Sequence, residues 1–390
     1  MRFVSKRIRE VVVLLAAATC TLHAAEDKAK VVKPLDDAHK TAVTKLTDAG
    51  VKYLLSQKDD KGGWSMGQGA NRPAITAMVI KVLVQHPDYD ASSPAVKKGF
   101  EVLFKYRRSD GGFYEPKVGL PNYTTSIAIM AMAASGDPQY RPAIDQAVKF
   151  LRSQQIHPGD TTPKGEKVEK GKGFDGGVSY GKHGRPDGSN QQMWIQAMHD
   201  AGVKGDDPDM QRALAFMLRL QNRKESNSAD YIQAGPNDNG FIYALGESKG
   251  GAWRNGRGLR SYGSLTYAGF KSMLHAGMGR DDPRVKGAFK WIRRYWRLDS
   301  NPNLPKLKSQ QGLYYYYHVF AKALRAWGEV EIEDLKGARH NWRHELIDAL
   351  SKRISADGSW TNKASERWNE GNSVLATCFA VLALQETLKK

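Results

Sequence analysis

The sequence predicts an all-α protein, an (α/α)6 toroid of six outer and six inner helices. Three observations carry this. A glycine-rich turn ending in an apolar or aromatic residue recurs six times, at intervals of roughly 50 to 75 residues. The segment before each turn has one apolar stripe, and the segment after it is apolar nearly all round. Helix stop and start signals also repeat in register.

In chain order, residues 1–25 read as a secretory signal peptide. Arg2, Lys6, Arg7 and Arg9 form a basic head and Val11 to Cys20 an apolar run too short for a membrane span. Leu22-His23-Ala24-Ala25 supplies the cleavage region, after Ala24 or Ala25. The expected mature protein is exported, periplasmic or secreted, with a linker over 26–39 and a repeat domain over 40–390. No other stretch is apolar for long enough to span a bilayer. Export also recasts the net charge of +18, which falls to +15 without the four basic residues and Glu10. An exported chain meets little nucleic acid, so the charge points to an anionic surface, a polysaccharide or solubility. Cys20 leaves with the leader, and Cys378 sits alone in an apolar run as a core residue, which excludes a disulfide scaffold.

The outer helices are expected near 40–57, 94–108, 142–155, 208–222, 283–297 and 342–355. In the third, Ala143, Ile144, Ala147, Val148 and Leu151 share one face, opposite Arg141, Asp145, Lys149 and Arg152. Val285, Ala288, Phe289 and Ile292 repeat the scheme, as do Leu346, Ile347, Leu350 and Ile354. The inner helices are expected near 72–86, 122–135, 189–201, 261–277, 314–327 and 371–387. Ser126 to Ala133 and Leu375 to Leu384 lack a polar face, so they need cover on every side. The turns between are Gly62-Gly63-Trp64, Gly111-Gly112-Phe113, Gly176-Gly177-Val178, Asn239-Gly240-Phe241, Gln311-Gly312-Leu313 and Gly358-Ser359-Trp360. Gly202 and Gly277 end inner helices, while Asp207-Pro208 and Asp282-Pro283 start outer ones. Neither end of the array has an atypical polar pair, which favours a closed ring over an open solenoid.

Tyr53-Leu54-Leu55-Ser56-Gln57 followed by Gly62-Gly63-Trp64 resembles the glutamine–tryptophan repeat of squalene and hopene cyclases, with one extra residue before the glycine. Phe150-Leu151-Arg152-Ser153-Gln154 resembles its first half. The stretch from Tyr262 to Gly269 and the run Gly312 to His318 resemble an exported bacterial subgroup with squalene-cyclase-like repeats. The resemblance implies the α/α toroid of the terpenoid cyclase and protein prenyltransferase superfamily. It does not fix an activity. The Asp-x-Asp-Asp acid of hopene cyclases is absent, and Asp206-Asp207-Pro208-Asp209 has the wrong spacing. The prenyltransferase zinc ligands and the Cys-Gly-Glu-Gln thioester of complement-like proteins are absent too, so no metal and no cofactor is expected.

The turns deliver every inner helix start to one rim, where free N–H groups favour polar or anionic ligands. Tyr123, Gln191, Gln192, Trp194, Tyr262, Tyr267, Tyr315, Tyr317, His318 and Trp368 fall near it and are the candidate ligand-binding residues. Tyr314 to Tyr317 point in four directions about 100° apart, so one or two of them should face the centre. His318, Asp187, Asp238 and Glu370 are the candidates for acid–base work, each with a structural reading beside it. Glu247 also flanks the rim, and Asp175 reads as part of a turn. His340 and His344 have the spacing of a metal pair but open a solvent-facing outer helix. Gly159–Lys172 and Asn222–Lys249 are long insertions, and long insertions are often functional.

Three functional readings stand at this level. One is a terpenoid cyclase-like isomerase acting on an isoprenoid, which requires an apolar pocket with a buried acid. Another is a non-catalytic binding protein for a lipid, peptide or glycan. The third is a polysaccharide lyase or hydrolase, which requires a groove with paired carboxylates or a Tyr/His pair.

Overall fold

The structure, a computed structural model, describes residues 35–182, 184–254 and 256–389. The segment expected to be a signal peptide, and most of the expected linker, lie outside the described residues. Helices alternate between two layers. The outer layer holds α1 (Asp37–Ser56), α3 (Pro94–Phe104), α5 (Arg141–Gln154), α7 (Pro208–Leu218), α10 (Pro283–Arg294) and α12 (Trp342–Ser351). The inner layer holds α2 (Arg72–Val84), α4 (Pro121–Ser135), α6 (Gly188–Asp200), α9 (Gly263–His275), α11 (Leu313–Trp327) and α13 (Ser373–Leu388). A one-turn helix, α8 (Asp230–Gln233), sits in the second insertion.

The expected boundaries recur within a few residues because the local signals are strong. Asp207 and Asp282 cap α7 and α10 through their carboxylates, with proline at the first turn of each helix. Gly202 and Gly277 follow α6 and α9 with φ of 85° and 82°. One feature was not expected from the sequence. A short antiparallel hairpin, β1 (Glu331–Glu333) with β2 (Arg339–Asn341), precedes α12 and carries His340. Three-residue strands give too short an alternation to read.

The inner helices pack in the order α2, α4, α6, α9, α11, α13, and α13 packs back on α2. The ring is therefore closed. Gln385 Nε2 at the end of α13 donates to the carbonyl of Val82 in α2 at 2.8 Å. The last turn packs on the first outer helix: a Cβ on Gly358 would lie 2.6 Å from the Ala49 carbonyl oxygen, and its φ is +86°. Only glycine satisfies both demands at once.

A repeated polar device fixes each turn to the helix after it. The backbone N–H of Trp64 donates to Thr76 Oγ1, Phe113 to Thr125, Phe241 to Thr266 and Trp360 to Thr377, all at 2.9–3.0 Å. In the third repeat Gln191 Oε1 does the same for Val178. The indoles of Trp64 and Trp360 donate to the carbonyls of Leu54 and Leu350, ten residues back, tying turn to outer helix. These rings are fully buried, so every N–H needs its partner. The layers meet over a continuous apolar core that includes Trp64, Phe113, Phe241 and Trp360.

Candidate functional site

A cavity of about 280 Å³ opens where the inner helices begin. The first two turns of all six inner helices line it, through Ile75 and Met78, Tyr123, Ser189, Leu265, Tyr315, and Leu375 with Phe379. The turns contribute in a fixed register. Met66, Tyr180, Tyr243 and Tyr315 each follow the closing residue of their turn by two positions, and each lines the cavity. The closing residue of each of these turns packs into the core, and the residue two positions on lines the cavity. This register was readable in the repeat, yet Met66, Tyr180 and Tyr243 were not singled out from the sequence.

Glu370 is the carboxylate in the wall of this cavity, and it is 1% exposed. Its Oε1 accepts from the backbone N–H of Tyr315 at 2.8 Å, and its Oε2 accepts from Asn362 Nδ2 at 2.8 Å. Burial pushes the carboxyl up to about 7, and the amides at the start of α11 pull the other way without overcoming it. The group is thus divided between acid and carboxylate near neutral pH. Trp368 forms part of the rim in a left-handed backbone conformation, φ 58°, which is unusual for an aromatic residue. It rests against Gly312, where a Cβ would come within 2.9 Å of the ring.

Tyr315 is the one member of the tyrosine run that lines the cavity. Its hydroxyl accepts from Gln192 Nε2 at 3.0 Å, and Gln192 Oε1 accepts from Lys271 Nζ at 2.7 Å. Tyr316 and Tyr317 turn to the outer layer and donate to the carbonyls of Arg297 and Leu298. Tyr314 reaches the carbonyl of Thr361. Burial holds the phenols of Tyr123, Tyr262 and Tyr315 well above their ordinary value, so they stay neutral.

Of the residues singled out in the sequence, Tyr123, Tyr262, Tyr315, Trp368 and Glu370 come together around this cavity. Others sit elsewhere for identifiable reasons. Gln191 joins three backbone groups between layers, and the Trp194 indole donates to the Leu151 carbonyl. Tyr267 packs on Tyr316 and Phe320, away from the cavity. Tyr317 is turned outward as described. Asp187 caps α6 through Ser189 and Asn190, beside the cavity, and burial raises its carboxyl. Asp238 accepts from Ser261 and the Trp291 indole, in the second layer. Burial and the nearby lysines hold His318 well below its ordinary value, so it is neutral and poorly suited to act as an acid.

His340 and His344 go separate ways: His340 pairs with Glu345 and stacks on Trp296, while His344 stacks on His39. Asp36, His39 and His344 do meet at an exposed corner. Their two imidazoles lie 3.8 Å apart and 5° from parallel, so the ring lone pairs run side by side rather than converging on one ion. Asp207 and Asp209 both pair with Arg152, a structural use of that acidic cluster. Cys378 is buried, and burial raises its thiol. The second insertion reaches the rim through Tyr243, whose ring carries Lys249 Nζ at 4.1 Å.

Comparison with solved structures then places this arrangement. The type II terpene cyclase MstE from Scytonema, in its apo form, superposes with a TM-score of 0.53 at 14% identity, over 88% of this chain and 98% of its own. The fold is terpenoid cyclase-like. A variant of the same cyclase bound to its substrate, geranylgeranyl dihydroxybenzoate, aligns with a TM-score of 0.54 at 15% identity, over 90% and 99% of the two chains. A protein from Actinoplanes aligns with a TM-score of 0.51 at 15% identity, over 90% and 100%. No protein-family model and no curated protein sequence matches the chain. At these identities the likeness concerns the fold. No helix among the described residues is long and apolar enough to cross a membrane.

Proposed function

We propose that the protein is an exported terpenoid cyclase-like isomerase that folds an isoprenoid into the tyrosine-lined cavity and protonates it from Glu370. The observation that carries this reading is the combination in one cavity of an apolar aromatic wall and a buried carboxyl poised near 7. A carboxyl held at this value in an apolar cavity suits proton donation to a ligand as well as the capping of α11. A lyase or hydrolase needs paired carboxylates or a charged histidine, and Glu370 is the one carboxylate among the described residues lining this cavity.

The chemistry follows from the geometry. Protonated Glu370 gives its proton to a carbon–carbon double bond of the ligand. The amides that donate to the carboxyl stabilise the carboxylate left behind, so the acid is stronger than burial alone would make it. The positive carbon that forms faces the rings of Tyr123, Tyr262, Tyr315 and Phe379. A new carbon–carbon bond closes a ring, and loss of a proton elsewhere on the ligand restores neutrality, so product and substrate are isomers. A variant of MstE, whose fold is similar, forms a complex with a geranylgeranyl substrate, which supports an isoprenoid as the ligand class.

The test is incubation of the purified protein with farnesyl and geranylgeranyl derivatives, followed by mass spectrometry for products of unchanged mass and altered retention. Isomer formation that Glu370→Gln abolishes supports the reading. Ligand retention with no isomer from the unmodified protein identifies a carrier instead.

A further inference from the structure

The opposite end of the ring holds a second cavity, about 580 Å³, built from the last turns of the inner helices. Its character is the reverse of the first. Lys81, Lys322, Arg325 and Lys389 line it, facing Asp200 and Glu386. Lys271 lies just beneath, held by the side-chain oxygens of Gln192 and Gln196 at 2.7 and 2.9 Å. Four cations line the cavity against two carboxylates, an excess of two positive charges, with the Lys271 amine beneath them.

Three of these lysines are buried: Lys81 is 5% exposed, Lys271 1% and Lys322 9%. The pairings are uneven: Lys389 Nζ lies 2.8 Å from Glu386, whereas Lys81 Nζ is 3.3 Å from Asp200 and Lys322 Nζ 3.6 Å from Glu386. Burial and the charge of Lys322 press Lys81 down to about 8 and Lys271 well below its ordinary value. His275 lines the same cavity, and its Nδ1 has no hydrogen-bond partner. The negative ends of the helix dipoles favour Lys81 and Arg325, in the last turns of α2 and α11, but they do not account for the whole cluster. That effect fades within the last turn, whereas Lys271 and Lys322 lie four and five residues before the ends of α9 and α11. Uncompensated buried cations are costly unless something pairs with them.

We propose that this cavity binds a multiply charged oxyanion, a phosphate or diphosphate group, between Lys81, Lys322 and Arg325. The net positive lining suits a phosphate or diphosphate group, and the cavity has room for one. The anion sits one polar chain away from the aromatic cavity, through Lys271, Gln192 and the Tyr315 hydroxyl.

Titration calorimetry with inorganic pyrophosphate at physiological ionic strength tests this on the full mature protein. The expected result is one saturable site per chain, weakened at least tenfold in Lys322→Gln and in Lys81→Gln. If the lysine variants fail to fold, Arg325→Gln, whose side chain is 45% exposed at the lip, carries the same test. No saturable binding by the unmodified protein, or unchanged affinity in the variants, overturns the proposal. Phosphatidylglycerol vesicles separate the two sources of phosphate. Co-sedimentation that pyrophosphate competes away and Lys322→Gln abolishes assigns the site to a lipid headgroup. Pyrophosphate binding without co-sedimentation assigns it to a free anion. Co-sedimentation that survives Lys322→Gln, with no pyrophosphate binding, refutes the site.

Discussion

The backbone amide of Tyr315 donates to Glu370 Oε1 at 2.8 Å, so the aromatic ring and the acid that share the cavity wall are fixed to each other. The contact joins residues 55 positions apart in the chain. It caps α11 and holds a carboxyl beside an aromatic face at the same time.

Glu370→Gln should abolish turnover of an isoprenoid, by at least a hundredfold, while leaving ligand retention within a fewfold of the unmodified protein. The pH profile gives the sign. Glu370 titrates at about 7, above its ordinary value, so the protonated donor predominates below that pH and is lost above it. Turnover should therefore fall as pH rises through about 7, measured as the initial rate of isomer formation. A rate that rises over the same interval would assign the carboxylate, not the acid, as the working form.

Tyr315→Ala and Tyr317→Ala should differ in kind. Tyr315 lines the cavity, so its loss should weaken ligand retention at least tenfold with a modest change in melting temperature. Tyr317 is buried and donates to the Leu298 carbonyl at 2.5 Å, so its loss should cost about 3–5 kcal/mol of stability. Retention per folded molecule should then be unchanged. Denaturant unfolding read beside ligand mass spectrometry checks both variants.

Thr377→Val removes the hydroxyl that accepts the Trp360 N–H while keeping the shape of the side chain. A buried amide is left without a partner, which costs about 1–3 kcal/mol. Thr76→Val and Thr125→Val should cost similar amounts, since they make the same bond in their own repeats. Equal shifts in urea midpoint across the three would mark the device as one repeated structural unit.

Gly312→Ala should destabilise by about 1–2 kcal/mol, because φ is +64° there. The new methyl would also press on the Trp368 ring at the cavity rim. Near-ultraviolet circular dichroism should therefore change with little loss of helix signal in the far ultraviolet. No change in the aromatic signal would show that Trp368 is not held by this contact.

Much of the architecture was legible because its signals are local. Each outer helix carries its own stripe and cap, as in Asp207-Pro208 and Asp282-Pro283, and each turn carries its own glycine. The candidate site was legible in part. Tyr123, Tyr262, Tyr315, Trp368 and Glu370 were found because they sit near inner helix starts. Gln191, Trp194, Tyr267 and Tyr317 sit near them too, yet they point into the layers. A helix turns about 100° per residue, so proximity to a start does not fix a direction. The phase is set by what packs on the helix, as the carbonyls of Arg297 and Leu298 show for Tyr316 and Tyr317.

By itself, then, the sequence determined the number of helix pairs, their alternation between layers and the rim to which every turn leads. These follow from periodicity and from glycine, proline and aspartate signals read within a few residues. The tertiary structure alone decided that the ring closes, with α13 on α2, because that contact spans most of the chain. It alone decided which tyrosine faces the cavity and how far burial raises Glu370. It alone gathered Lys81, Lys271, Lys322 and Lys389 at the far end of the ring. The physical reason is common to all four. Burial and charge proximity depend on which helices are neighbours in space, and no local spacing records that.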